Sequence, residues 1–196
     1  MPPAAPSSRT MPVVLVEGES DRAAVLALAA RLGQELAPDA VVSLGGATNI
    51  ARALAHYGRP GLDVAVGGLC DAAEEGYFRR GLERTGHGPV ATRRDLARHG
   101  YFVCDTDLED ELIRALGAAA VQDVIEAAGD TRSWRAMRGQ PAQRTRTVEA
   151  QLHRFLGTTS GRKARYAALL VDALPLAAMP TPLQRVLARL SRPGNT

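Results

Sequence analysis

The stretch "VVLVEGESDRAAVLALAA" (residues 13–30) sets a short apolar run against a knot of acids, then a helical pattern. Four consecutive apolar residues, Val13 to Val16, have the composition of a strand buried on both faces. The run stops at Glu17, and Gly18, Glu19, Ser20 and Asp21 follow. A helix is predicted from about Ser20 to Leu32, closed by Gly33. Ser20 suits an N-cap, and Asp21 is favoured by the helix dipole. Glu17 has no such reason to be there. It ends the strand itself, and beside two further carboxylates it resists desolvation unless something positive faces it.

The same unit returns three times. Residues 40–44 read as a second strand, followed by the Gly45-Gly46 turn and a helix. A third strand ends at Asp71 and leads into "AAEEGYFRRGLERTG". A fourth, Tyr101 to Cys104, leads through an acidic turn into "DLEDELIRALG". Four strand–turn–helix repeats predict an α/β fold with a parallel, Rossmann-like sheet flanked by helices. Right-handed crossovers bring every strand's carboxyl end to one edge, where open α/β sheets bind ligands. Glu17, Asp71 and the group Asp105, Asp107 and Glu109 all fall at such ends. Any one of them could simply cap its helix. Acids at three of four strand ends are more than capping requires.

From about residue 118 the pattern is helical only, so a C-terminal helical extension is expected over 118–196, packed on an α/β domain of 12–117. Residues 1–11, rich in Pro, Ser and Ala, are expected to be a disordered tail. "TRSWRAMRGQPAQRTR" reads as a basic connector between two helices.

The 196 residues suffice for one substantial domain, and with 45% hydrophobic but only 4% aromatic content the core must be built from Ala, Leu and Val. The net charge of +3 permits nucleic acid without requiring it. No apolar stretch is long enough to span a membrane, and no signal peptide is evident. Cys70 and Cys104 then read as buried, reduced thiols in a cytoplasmic protein. Of the 24 basic residues, 23 are Arg and only Lys163 is Lys. Either chance left it, or that position needs a compact ammonium rather than a planar fork.

Converging carboxylates are hard oxygen ligands. With no His nearby and no Cys pair in the sequence reading, they favour Mg²⁺ or Mn²⁺ over zinc. Two such ions, about 4 Å apart, can clamp the attacking and leaving oxygens of a phosphoryl displacement.

"LVEGESD" resembles the first motif of the topoisomerase–primase (Toprim) domain. The Glu17-x-x-x-Asp21 spacing, "LGGATN", "DLEDELIRALG" and "GRKARYAALL" are similar, in that order, to motifs of the Toprim domain of OLD (overcoming lysogenization defect) nucleases. The resemblance spans about residues 12–172. It implies a parallel Toprim sheet and metal-dependent nicking or cutting of DNA. It further implies Glu17, Asp21, Asp71 and Glu109 as metal ligands, Asp107 as a further ligand or a supporting acid, and Lys163 facing the scissile phosphate. Two departures stand out. The usual Asp-x-Asp after the third strand reads Asp71-Ala72-Ala73, with Glu74 next. OLD proteins also carry an ATPase domain ahead of the Toprim domain, and this chain has no Gly-x-x-x-x-Gly-Lys loop.

The leading expectation is therefore a two-metal DNA endonuclease or nickase. The alternative is a catalytically weakened metal- or DNA-binding module serving a separate ATPase, and a weaker third is a phosphatase or phosphotransferase acting on small nucleotides. Lesser features read more plainly. "LGGATN" makes a tight turn or cradles a phosphate, with the turn favoured. The arginines around Trp134 either track DNA, with Trp134 stacked on a base, or form a solvated connector anchored by Trp134. His56, His87, His99 and His153 receive no role, and Glu19 and Glu75 are expected to face solvent.

Overall fold

The computed structural model describes residues 11–59, 61–157, 159 and 161–190. The tail expected over 1–11 lies outside the described residues except for Met11. Strand β1 (Val13–Val16) is followed by helix α1 (Glu19–Arg31), and β2 (Val41–Ser43) by α2 (Ile50–Tyr57). Strand β3 (Val66–Asp71) is followed by α3 (Glu75–Arg84) and α4 (Arg93–Arg98), and β4 (Tyr101–Cys104) by α5 (Leu108–Leu116). Then come α6 (Ala118–Ala127), α7 (Thr131–Arg138), α8 (Val148–Gly157), α9 (Arg162–Ala173) and α10 (Thr181–Leu190). The expected α/β class, with a parallel sheet flanked by helices and a helical C-terminal portion, is what forms.

The sheet runs β2-β1-β3-β4, all parallel. Because β1 has a neighbour on each side and helices on both faces, all four of its residues are buried. Alternation divides them: Val14 and Val16 enter the core shared with α1, whereas Val13 and Leu15 enter the core shared with α2 and α3. This explains why the run is continuously apolar. The chain leaves β1 toward β2 on one side and returns to β3 on the other. The crevice outside the carboxyl ends of β1 and β3 is therefore the topological switch point.

The α1 face of the sheet is completed from the far end of the chain. Helix α9 lies along α1, and α10 covers β4 and β3. Tyr166, Leu170 and Val171 of α9 and Leu183, Val186 and Leu187 of α10 join the same core as Val14 and Val16. This packing carries the N-terminal turn of α9 to the switch-point edge. No helix among the described residues is long and apolar enough to cross a membrane. Cys70 and Cys104 are buried free thiols, as expected.

Several local expectations need correction. Helix α1 begins at Glu19, so Ser20 lies inside it and Gly18 takes the N-cap place. The basic connector contains helix α7, because Trp134 and Met137, one turn apart, are both buried. Its arginines stand on the outer positions and mask that apolar pair in a composition-based reading. Trp134 is only 4% exposed, so of its two readings the core anchor holds and stacking on a base does not. Its indole N–H donates to Gln122 at 3.4 Å. At "LGGATN", Gly45 (φ 65°) and Gly46 (φ 125°) adopt left-handed backbone, as a tight turn needs.

Gly68 in β3 shows how closely the sheet is packed. A Cβ there would lie 2.6 Å from the Leu15 carbonyl oxygen and 2.6 Å from the Tyr101 ring. Gly68→Ala is expected to cost about 3 kcal/mol, the upper end of ordinary overpacking, and to lower Tm by about 10 °C in thermal unfolding. An unchanged Tm would show that the strand yields there.

Candidate metal centre

Glu17 and Asp71 face each other across the switch point, because Val16 pairs with Leu69 in register and each strand ends just beyond. The Asp71 amide donates to Glu17 Oε1 at 2.8 Å. Asp21, on the first turn of α1, accepts the Gly18 amide at 3.0 Å and is 7% exposed. Asp107 caps α5, with Oδ1 accepting the Asp110 amide at 2.8 Å. Glu109, one residue into α5, is 2% exposed. Lys163, on the first turn of α9, places Nζ 3.0 Å from Glu109 Oε2. These six residues, drawn from four separate segments, act on one another electrostatically.

Burial is the first cause of their unusual acidity. It raises Glu17, Asp21 and Asp71 each to about 7. Neighbouring carboxylates push the same way: Asp71 and Glu74 on Glu17, Glu109 on Asp21, and Asp21, Asp107 and Glu109 on Asp71. Lys163 opposes this at all three. The positive influence that the sequence required near Glu17 is thus chiefly the Asp71 amide, supplemented by the charge of Lys163. Burial disfavours its ammonium, but Glu109, Asp21 and Asp71 together more than offset that and hold its pKa above the ordinary lysine range. Burial likewise raises Asp107, yet the hydrogen bond from His153, the Asp110 amide and nearby positive charge hold its carboxyl below the usual range.

His153 is the functional candidate that sequence reading missed. It comes from α8, and its Nε2 lies 2.6 Å from Asp107 Oδ2. That hydrogen bond, more than any other influence, raises the imidazole's pKa. Asp107, Glu109 and His153 each place a potential ligand atom within 4.8 Å of the others. Contrary to expectation, a histidine therefore does lie beside the acids. The only local signal was an imidazole next to the buried Leu152, on the rim of an apolar helix face. Nothing in the linear order points from it to a residue 46 positions away.

Other acids lie elsewhere. Asp105 turns outward, with Arg93 Nη1 2.8 Å away. Glu75, expected in solvent, is largely enclosed between Arg79 and Arg93, the latter at 2.9 Å. The unanticipated helix α4 carries Arg93 to it. Glu19 is exposed, as expected.

The donor set fits a divalent cation. Glu109 Oε1 is buried and has no hydrogen-bond partner among the described residues. An orphaned carboxylate oxygen in the interior is costly unless a cation completes it.

This parallel α/β fold carries a carboxylate-lined crevice at its switch point, as the resemblance to the Toprim domain implies. Among solved structures, the chain is similar to the C-terminal region of the Xanthomonas campestris pv. campestris OLD protein, at 26% identity and a TM-score of 0.68, over 92% of each chain. It is also similar to the C-terminal region of the Burkholderia pseudomallei OLD protein, at 25% identity and a TM-score of 0.64, over 92% of this chain and 96% of that one. The resemblance to the OLD Toprim domain thus holds along nearly the whole described chain. No protein-family model matches the sequence, and no curated protein does.

Proposed function

We infer that the chain is a divalent-metal-dependent DNA endonuclease or nickase that hydrolyses a phosphodiester by a two-metal mechanism. The observation that carries this reading is the gathering of buried and half-buried carboxylates, one with an orphaned oxygen, beside a single ammonium. Similarity to the C-terminal regions of OLD proteins supports it. Glu17, Asp21, Asp71, Asp107 and Glu109 are read as the metal-holding acids, and their carboxylate majority favours Mg²⁺ or Mn²⁺ even with His153 alongside. Bound there, divalent ions supply positive charge to the phosphate oxygens and lower the pKa of water.

The chain's own groups divide the remaining work. Glu17, at the end of β1, is read as holding metal and helping to orient the attacking water. Lys163 holds a fixed positive charge where the phosphate's developing charge would fall. His153 orients Asp107, as second residues behind a ligand commonly do. Glu74, whose charge reaches Glu17, is read as standing in for the missing second Asp after β3. Residues 12–117 are read as the catalytic portion and 118–196 as an extension supplying Lys163 and His153. An ATPase on another segment or chain is the proposed partner.

The experiment is supercoiled plasmid incubated with purified protein and Mn²⁺ or Mg²⁺. Nicking is expected from the natural chain and not from Glu17→Ala or Asp71→Ala that remain folded. Nicking by both variants rules the mechanism out. Metal binding without nicking, restored only by an added ATPase partner, favours the weakened-module reading, to which the Ala72-Ala73 departure points.

A further inference from the structure

A groove of about 760 Å³ borders the metal centre and opens between the β4–α5 turn and α8. Its lining includes Thr106, Arg146, Thr147, His153 and Arg154, so it shares His153 with the candidate metal ligands. None of Glu17, Asp21, Asp71, Asp107 and Glu109 lines it. The geometry points to this groove as the track for the DNA strand's phosphate backbone, with Arg146 and Arg154 contacting successive phosphates beside the centre; the inference rests on the nuclease reading above.

Three observations carry it. First, a phosphodiester chain carries one negative charge per nucleotide and is repelled by a crevice of carboxylates. Apart from the one scissile phosphate, served by Lys163 and the metal ions, its affinity must come from cations beside that crevice. Second, Arg146 and Arg154 are exposed, and neither guanidinium has an acidic partner among the described residues. Some other arginines, Arg93, Arg98, Arg114 and Arg165 among them, are neutralised by carboxylates. Of the acids lining the groove, Asp110 is already engaged by Arg114 at 3.5 Å, and Glu149 is exposed. Third, the groove offers hydroxyls. Thr147 Oγ1 accepts the Ala150 amide at 3.3 Å, leaving its own proton to donate, and Thr106 sits one residue before Asp107. Cations and hydroxyls along one wall are how proteins position a backbone without reading its bases.

The test uses the full chain and a fluorescein-labelled duplex of about 20 base pairs, followed by anisotropy across a salt series. The double variant Arg146→Ala/Arg154→Ala is compared with Arg59→Ala/Arg84→Ala, which removes the same charge at the opposite edge of the sheet. The groove variant is expected to bind about 10-fold more weakly and to flatten the log–log salt slope by about 2, roughly one per lost phosphate contact. The control pair should leave the slope unchanged. Mn²⁺ affinity, measured by calorimetry, should be the same in both. Natural affinity and slope in the groove variant overturn the track, even where Glu17→Ala abolishes nicking. Conversely, a flattened slope in a chain that never nicks plasmid retains the track and overturns the nuclease reading. A natural chain that binds no DNA overturns both.

Discussion

Glu109→Gln is expected to weaken Mn²⁺ binding by about 100-fold or more and to abolish plasmid nicking with little change in fold. The side chain is 2% exposed, so the substitution must preserve its shape, and Gln does. What is lost is the charge that an orphaned Oε1 and a Lys163-bound Oε2 present to a cation. Lys163→Met separates two roles for the same pair. As the only direct cationic partner of Glu109 among the described residues, Lys163 competes with an incoming ion for that carboxylate. Its removal should preserve or tighten Mn²⁺ binding while nicking is lost. Calorimetric titration of both variants beside the plasmid assay checks this. Equal loss of Mn²⁺ affinity in the two would show that Lys163 organises the metal site rather than competing for it.

The metal-free protein should lose stability as pH rises from about 4 to about 7. Asp21 has a carboxyl raised from the ordinary 3.8 to about 7, so between those values the folded state holds a proton that the unfolded state has released. Stability falls with pH wherever the native state binds more protons. Glu17 and Asp71, both raised to about 7, add in the same direction. Divalent metal should reverse the trend, since it binds the deprotonated acids and releases their protons. Asp21→Asn, which keeps an acceptor for the Gly18 amide, should stabilise the metal-free protein at pH 8 by on the order of 3 kcal/mol and raise Tm by about 8 °C. It should also remove most of the stabilisation conferred by Mn²⁺. Thermal unfolding at several pH values, with Mn²⁺ or with EDTA, measures all of this. A metal-free Tm that climbs between pH 5 and 7 would contradict the burial of these acids.

The order of the elements and the edge on which the acids gather were legible because both follow from short-range rules. Val13–Val16 is continuously apolar since a central parallel strand is covered on both faces. The handedness of the crossovers then places Glu17, Asp71 and Asp107 together without knowledge of any side-chain contact. The lone lysine was conspicuous against 23 arginines, and it does lie at the acids. By contrast, α7 was obscured because dense arginines hid the Trp134–Met137 face.

From its sequence alone this protein declares a parallel α/β sheet, a carboxylate-bearing edge and an unusual ammonium, because residue periodicity and strand order act over a few positions at a time. Only the tertiary structure decides that His153 meets Asp107, that Lys163 closes on Glu109, and that Glu75 is enclosed by arginines. Those contacts depend on how α8 and α9 settle against α1 and α5. That docking is set by the shapes of apolar faces distributed along the chain, which no local pattern encodes.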